Sequence, residues 1–206
     1  MSKIIGIIVF DGVLTSEVIG PAEVFGIASK QEWFKDSKVL LIGVEKQATV
    51  CTEEGIRLTV DATIADDPYL DVLLVPGGND MNPLLQHEKL NAFIQKQEES
   101  AQWLGSVCAG AFLLGQAGVL DGKQATTWFG GETSLQTQFP EIQVVHDQPV
   151  VIDQRRITAN GGVISYQAAL VLLGRLTSAK HAEEIYENLG LGRLETWAEI
   201  EATINS

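Results

Sequence analysis

The sequence predicts an α/β fold, a three-layer sandwich in which helices cover both faces of a mainly parallel sheet. Two patterns lead to this prediction. Continuous apolar runs at 3–10, 71–75 and 103–107 are typical of strands that are buried on both faces. Helical segments alternate with such runs along the chain, as in folds built on a parallel sheet. In these sheets the functional crevice lies outside the carboxyl ends of the strands.

Each element has its own signal. The predicted strands are 3–10, 38–44, 71–75, 103–107, 124–127, 142–145, 150–152 and 156–159, with a hairpin or an extended excursion at 48–60. Helices are predicted at about 82–99, after Cys108, at about 131–138, from Gly162 to about 176, and at 179–189. An earlier helix is expected to begin at Pro21, because proline is tolerated in a first turn. Residues 15–20 then form a strand-helix junction, with Glu17 in a loop.

Composition favours one globular domain over 1–206, with 190–206 as a C-terminal tail. The chain is 45% hydrophobic and 20% charged, which suits a soluble protein with a sizeable core. Its formal net charge of −13, without a run of Lys or Arg, argues against nucleic-acid binding. No apolar run approaches the roughly 18 residues of a membrane span.

The few cysteines and histidines indicate neither disulfides nor metal. The two cysteines lie far apart in different contexts, so no disulfide framework is expected and the cytoplasm is the predicted location. With three histidines and no paired cysteines, we expect no metal site and no cofactor.

Cys108 is the candidate nucleophile. It follows a buried strand and precedes a helix rich in small residues, and Ala109, Gly110 and Ala111 permit a sharp strand-to-helix turn. The helix start is expected to lower the pKa of the thiol and to favour the nucleophilic thiolate. The alternative is that Cys108 is a small buried core residue, as most free cysteines are.

Other segments are expected to meet Cys108 at the carboxyl ends of the strands. Gly77 and Gly78 follow the middle strand and allow backbone N–H groups to approach a ligand. Together with the Ala109 N–H they are candidates for an oxyanion hole, although a plain tight turn explains the two glycines equally well. Glu17 is expected to be protonated at neutral pH and to donate a hydrogen bond to the sulfur, because two adjacent buried anions repel each other.

Several other side chains need an assignment. Trp128 and Tyr166 are candidates for aromatic walls of the crevice, although large aromatic residues more often belong to a core. Cys51 lies in a β-like stretch without a helix after it, and we expect it to pack within the fold. His87 and His146 are expected to be solvated.

Four segments together resemble the DJ-1/PfpI superfamily, also called ThiJ/PfpI, within the class I glutamine amidotransferase-like fold. They are SVCAGA at 106–111, GVLDG at 118–122 followed by ATT at 125–127, VPGG at 75–78, and Glu17 ahead of Gly20-Pro21. The likeness extends to about Leu189. It implies a flavodoxin-like sheet with a nucleophile elbow, a small-molecule substrate and a homodimer.

Within the superfamily, the chain is similar to the branch of isonitrile hydratases and the amidotransferase-like domains of AraC-type regulators. TANGGV at 158–163 resembles the ligand-pocket segment of that branch, which implies a substrate-binding role for Gly161. Glu17 matches the position where hydratases carry Asp and DJ-1-like proteins carry Glu. The resemblance therefore implies that this carboxyl approaches the nucleophile.

The chain also departs from the patterns of several branches. Peptidase-like members place His directly after the cysteine and hydratases tend to have Thr there, whereas this chain has Ala109. DJ-1-like glyoxalases use a His after the strand that follows the elbow helix, where this chain has Thr126-Thr127-Trp128. His181 and Glu183 match the His-x-Glu of true glutamine amidotransferases, but residues two apart on a helix do not share a face, so we take this match as chance.

Three functions follow from these features. The first is an enzyme in which the Cys108 thiolate adds to a small electrophilic carbon while Glu17 moves the proton, with hydration of isonitriles to N-substituted formamides preferred. The second is a non-catalytic or redox-sensing ligand-binding module similar to AraC-type regulator domains. The third is a glyoxalase or deglycase activity. Residues 190–206 are too few and too acidic for a helix-turn-helix domain, which favours a stand-alone enzyme or redox protein.

Overall fold

The structure, a computed structural model, describes residues 2–204, and a seven-stranded sheet forms its centre. The strands in this part of the chain are β1 (Ile4–Val9), β2 (Lys38–Gly43), β3 (Thr49–Cys51), β4 (Arg57–Thr59), β5 (Ala62–Thr63), β6 (Val72–Val75), β7 (Trp103–Val107), β8 (Gln124–Ala125), β9 (Gln143–Val144), β10 (Val150–Asp153) and β11 (Arg156–Ala159). The central sheet has the order β10-β11-β7-β6-β1-β2-β5. Its pairings are parallel except that of β10 with β11. The predicted mainly parallel sheet is confirmed.

Helices alternate with the strands along much of the chain. The helices within residues 2–204 are α1 (Thr15–Ala28), α2 (Asn82–Leu85), α3 (Glu88–Ser100), α4 (Gly110–Gln116), α5 (Glu132–Gln138), α6 (Ile164–Leu176), α7 (Ala179–Asn188) and α8 (Trp197–Ile204), with 3₁₀ turns at Glu32–Phe34, Ile64–Asp66 and Leu191–Arg193. Helices α1, α3 and α4 pack against the central strands. All four residues of β6 are buried, as expected for a strand covered on both faces. The predicted three-layer α/β sandwich is confirmed.

The register of the sheet brings four strand ends together. Val75, the last residue of β6, pairs with Ser106 of β7, and Val107 of β7 pairs with Ala159 of β11. On the other side of β6, Leu74 pairs with Ile7 of β1. The segments that follow β1, β6, β7 and β11 therefore meet at one edge of the sheet, where ligands bind in folds of this class.

The first helix begins earlier than the sequence predicts. It starts at Thr15 and contains Pro21, so the prediction of a helix start at Pro21 and of a loop around Glu17 is wrong. Pro21 has no N–H to donate to the carbonyl one turn earlier, so one helical hydrogen bond is missing. The helix continues because Gly20, the residue before it, has no Cβ that would clash with the proline ring. Glu17 consequently lies in the first turn of α1.

The predicted helix over 82–99 is two helices, and His87 separates them. The His87 Nδ1 accepts the Leu90 N–H at 3.0 Å, so this side chain caps α3. The His87 Nε2 lies 3.0 Å from Glu45 Oε1. His87 is therefore a structural cap, a role that the sequence did not predict, and its ring stays partly exposed to solvent.

Two smaller sheets flank the central one. The antiparallel pair β3 and β4 confirms the hairpin predicted within 48–60, and β8 pairs in parallel with β9. The hairpin returns to the segment before α1, because the Gly12 N–H donates to the Cys51 carbonyl at 2.8 Å and the Glu53 N–H donates to the Val13 carbonyl at 3.0 Å. Cys51 is exposed on β3, so the prediction that it packs within the fold is wrong.

The chain separates into two compact units, the first ending at Ala169 and the second beginning at Leu170. The second unit contains the end of α6, then α7 and α8. In it, Ser178 caps α7 by accepting the His181 N–H at 3.2 Å. Helix α8 occupies a segment for which the sequence predicted only a tail. No helix within residues 2–204 combines the length and apolar character that crossing a bilayer requires.

Candidate active site

Cys108 lies at a strained turn between β7 and α4. Its φ of 53° falls in the left-handed region, which costs a residue other than glycine about 1–2 kcal/mol. The Cys108 N–H donates to the Ala159 carbonyl at 2.8 Å, which ties the turn to β11. A Cβ on Gly110 would lie 1.9 Å from the Val75 carbonyl oxygen, so only glycine lets α4 begin this close to β6. The predicted elbow is present.

Two further residues stabilise the elbow from neighbouring segments, and the sequence predicted no role for either of them. The Thr127 hydroxyl donates to the Cys108 carbonyl at 2.8 Å. The Asn160 side-chain amide in turn donates to the Thr127 carbonyl. The available signal was their position, since Thr127 follows the strand after the elbow helix and Asn160 directly follows β11.

Glu17 reaches the elbow from α1. The side chain is buried, with 1% of the residue exposed, and its Oε2 accepts the Gly77 N–H at 2.6 Å. The other oxygen, Oε1, is buried as well, and the Cys108 side chain and the Gly162 N–H act on the carboxyl as further hydrogen-bond donors. A Cβ on Gly161 would lie 2.4 Å from Glu17 Oε1 and 3.1 Å from Cys108 Sγ. The carboxyl and the thiol therefore meet over the backbone of Gly161.

The pKa of the Glu17 carboxyl is raised above its ordinary value. Burial is the largest cause, and the charge of Glu54 adds to the rise. The Gly77 N–H, the Cys108 side chain and the Gly162 N–H oppose it, in that order. The predicted rise in the pKa of Glu17 is confirmed in direction. A Cys108 thiolate was expected to add to this rise, but the Cys108 side chain lowers the pKa of Glu17 instead.

The pKa of the Cys108 thiol is raised as well, to about 12. Burial is the main cause and the Glu17 charge is the second, whereas the Ala109 N–H lowers it. The low thiol pKa predicted from the elbow is wrong for this geometry, because desolvation outweighs the N–H group at the helix start. Thiolate formation therefore requires that the proton of Cys108 has a nearby acceptor, and the Glu17 carboxylate is in place to accept it.

The three predicted oxyanion donors have different surroundings. The Gly77 N–H binds Glu17, so it is not free for a ligand and its predicted role is wrong. A Cβ on Gly77 would lie 2.7 Å from the Ala109 nitrogen, which explains why glycine is needed there. Gly78 lines the cavity described below, and the Ala109 N–H acts on the Cys108 sulfur. An oxyanion hole that includes Gly78 and Ala109 stays a prediction.

A cavity of about 430 Å³ opens beside the Cys108 thiol. This volume suits a small organic molecule. None of the described residues that line the cavity carries a charge. They are Leu14, Gly78, Asn79, Met81, Asn82, Leu85, Cys108, Ala109, Phe112, Trp128 and Gln138. Within residues 2–204, no group of three or more His, Cys, Asp or Glu side chains is suited to a metal ion.

The aromatic candidates divide between this cavity and other surroundings. Trp128 stacks on Phe112 with ring centroids 5.1 Å apart, and both rings line the cavity. Tyr166 is not among the lining residues, and its hydroxyl donates to Glu23 Oε2 at 2.8 Å. Gly161 does not line the cavity either, and a Cβ there would meet Cys108 and Glu17, so its predicted contact with substrate stays a prediction.

Known proteins share this sequence pattern and fold. The model of the DJ-1/PfpI family matches residues 3–173. An isonitrile hydratase of Pseudomonas putida is 34% identical over 89% of this chain and 76% of its own length. The HTH-type transcriptional regulator GbdR of Pseudomonas aeruginosa is 30% identical over 68% of this chain, which spans 39% of the regulator's length.

Solved structures agree with these matches. Drosophila melanogaster DJ-1beta superposes with a TM-score of 0.80 at 25% identity, over 92% of this chain and 98% of its own. An AraC family transcriptional regulator from Pseudomonas putida has a TM-score of 0.79 at 21% identity, over 91% of this chain and 99% of that one, and this likeness concerns the fold alone. With a family model that spans most of its length and a common architecture, the chain belongs to the DJ-1/PfpI family.

Proposed function

We propose that the chain is a cysteine-dependent enzyme that hydrates a small, neutral isonitrile to an N-substituted formamide. One observation carries the proposal, namely that the Cys108 thiol, which meets the Glu17 carboxyl, lines a cavity without charged lining residues. A charged substrate would lose its hydration there without an ionic partner, whereas a neutral one pays little for entry. The similarity to an isonitrile hydratase supports the same substrate class.

The reaction begins with a proton transfer from the Cys108 sulfur to Glu17. The thiolate then attacks the terminal carbon of R–N≡C, forming the S–C bond, while Glu17 returns the proton to the same carbon. The product of this step is a thioimidate, R–N=CH–S–Cys108.

Water completes the reaction. Glu17 takes a proton from water as the oxygen adds to the thioimidate carbon, and it passes this proton to the nitrogen. The S–C bond then breaks as the remaining hydroxyl proton moves to the sulfur, and R–NH–CHO leaves. The net change is the addition of one water to the isonitrile, so no oxidant, reductant or cofactor is required.

A ligand-binding module is the second candidate, favoured by the similarity to HTH-type regulators. Three side-chain amides, those of Asn79, Asn82 and Gln138, line the cavity and are able to orient a ligand without chemistry. A glyoxalase or deglycase activity is a third candidate. It has less support, because Thr127 stands in the segment where that activity uses His and its hydroxyl already binds the elbow.

Turnover assays on a panel of isonitriles and methylglyoxal distinguish these candidates, with Cys108→Ala as the control. Formamide release by the wild type and its loss in Cys108→Ala are expected. Turnover of methylglyoxal alone would replace the isonitrile proposal with the glyoxalase one. Binding of panel compounds without turnover by either protein would favour the ligand-binding module.

We also propose a homodimer, a cytoplasmic location and a single functional domain, all of which rest on the family resemblance and on composition. Closed two-fold dimers are the commonest oligomers of soluble proteins. Light scattering tests the dimer, and a stable species near the chain mass of 22.3 kDa would overturn it.

A further inference from the structure

The tip of the β3–β4 hairpin, residues 52–56, closes onto the N-terminus of α1. Thr15 is the first residue of α1, and its N–H has no partner within the helix. Glu54 Oε2 accepts this N–H at 3.0 Å and the Thr15 hydroxyl at 2.6 Å. Leu14, at the N-cap position, provides no side-chain cap. Glu54 therefore caps α1 from a separate element.

The hairpin tip holds Glu54 in place through further hydrogen bonds. Thr52 is buried, and its hydroxyl lies 2.7 Å from the hydroxyl of Thr15. The same Thr52 oxygen accepts the Ile56 N–H at 3.0 Å, which closes the turn. The Glu53 N–H donates to the Val13 carbonyl at 3.0 Å. The contact between Glu54 and Thr15 is therefore part of a connected network.

This network lies next to Glu17, which follows Thr15 by two residues in the same turn of α1. On the other side of that turn, the Leu14 N–H donates to the Gly77 carbonyl at 3.1 Å, and the Gly77 N–H donates to Glu17. The Glu17 turn is thus held from the hairpin and from the segment after β6. The Thr15 hydrogen bonds also keep the pKa of Glu54 below its usual range, so Glu54 is charged at neutral pH.

We propose that Glu54 is a positioning residue for the Cys108–Glu17 pair, fixing the first turn of α1 through Thr15 and maintaining a negative charge at the start of the turn that carries Glu17. Within residues 2–204, Glu54 and the Cys108 thiol are the titratable groups that act on this carboxyl. The inference rests on the proposed pair of Cys108 and Glu17, but it does not depend on the identity of the substrate.

Three variants separate the two effects of Glu54. Glu54→Gln keeps an oxygen that accepts from Thr15 but removes the charge, whereas Glu54→Ala removes both. Glu53→Gln is the matched control. It removes the same charge one residue away, and the Glu53 side chain is directed towards Gly12 and not towards Thr15. A fourth variant, Glu17→Gln, tests the pair itself.

The experiment measures the rate of iodoacetamide alkylation of Cys108 against pH, with peptide mapping to exclude Cys51. In the wild type the rate should rise through the pKa of Glu17, because its carboxylate then accepts the thiol proton. Glu54→Gln should move the midpoint to lower pH by about 0.3 unit, and salt should shrink the shift. Glu54→Ala should also lower the plateau rate by up to about fivefold, because losing one helix cap changes the equilibrium between the ordered and the frayed first turn by about that factor. Glu53→Gln should match the wild type.

The outcomes separate two failures. A Glu17→Gln profile identical to that of the wild type would show that Glu17 does not act on the thiol, and the proposed function would lose its proton carrier. If Glu17→Gln changes the profile while both Glu54 variants match the wild type, the role of Glu54 alone is overturned. Equal shifts in Glu53→Gln and Glu54→Gln would also overturn it, since the effect would then be one of net charge.

Discussion

The two free cysteines of this chain occupy opposite kinds of surroundings. Cys108 is partly buried at a left-handed turn, with the Ala109 N–H and the Glu17 carboxyl beside its sulfur. Cys51 is exposed on a short strand, where its N–H donates to Asp11 Oδ1 at 2.7 Å. The thiol group is the same at both positions. The comparison shows that an elbow and a neighbouring carboxyl, and not exposure of the thiol, distinguish the candidate nucleophile.

The largest effect is expected from removing each thiol in turn. Cys108→Ala should reduce isonitrile turnover by about a thousandfold or more, because no other group can form the covalent intermediate. Cys51→Ala should stay within about twofold of the wild type, as expected for a surface residue away from the chemistry. Initial rates of formamide release measure both. Loss of turnover in Cys51→Ala alone would reverse the comparison.

Gly161→Ala should disturb Cys108 without removing its sulfur. The new Cβ would lie 2.4 Å from Glu17 Oε1 and 2.8 Å from Cys108 Cβ, so at least one of the two side chains must move. A displacement of about 1 Å at a reacting group lowers the rate by about a hundredfold. Gly26→Ala is the control, because a Cβ there meets nothing within 4 Å and alanine favours a helix. Wild-type kcat in Gly161→Ala would contradict the contact.

Glu17→Gln sharpens the comparison by changing only the surroundings of Cys108. Removing the Glu17 charge should lower the pKa of the Cys108 thiol from about 12, since that charge is the second cause of the rise. Glu17→Leu should lower it less, because leucine cannot donate to the thiolate. Both variants should turn over poorly, since neither side chain carries a proton.

Absorbance at about 240 nm, which increases as the thiol loses its proton, is the measurement that follows the titration of Cys108 in these variants. The double variant with Cys51→Ala removes the signal of the other cysteine. A Cys108 pKa that rises in Glu17→Leu would show that Glu17 donates a proton to a resting thiolate, as the sequence alone predicted, and does not accept one from the thiol.

The smallest effect concerns stability. The folded-state pKa of Glu17 is raised, so its contribution to stability is complete below the unfolded pKa and is lost as the pH rises through the folded value. Glu17→Gln should not show this loss. The free energy of unfolding of Glu17→Gln, measured by urea titration, should therefore increase relative to that of the wild type as the pH rises, by at most about 1.4 kcal/mol per pH unit. If the difference in the free energy of unfolding between the two proteins were constant from about pH 4 to about pH 8, Glu17 would have its usual pKa in the folded state.

Local patterns in the sequence determined the sheet and the elbow. Apolar runs such as 71–75 and 103–107 predict buried strands because a strand covered on both faces needs apolar side chains throughout. The small residues after Cys108 predict a sharp turn, because a large side chain does not fit there. A Cβ on Gly110, for example, would collide with the Val75 carbonyl oxygen. Both signals lie within a few residues of the feature that they predict.

The tertiary structure decided which groups meet and how they titrate. Glu54 contacts Thr15 across 39 positions of sequence, and the Gly77 N–H binds Glu17 across 60, so no local pattern pairs them. The helix start predicts a low pKa for Cys108 because the Ala109 N–H is its neighbour in sequence. Burial depends on everything that packs around the sulfur, and in the folded chain this desolvation raises the pKa instead.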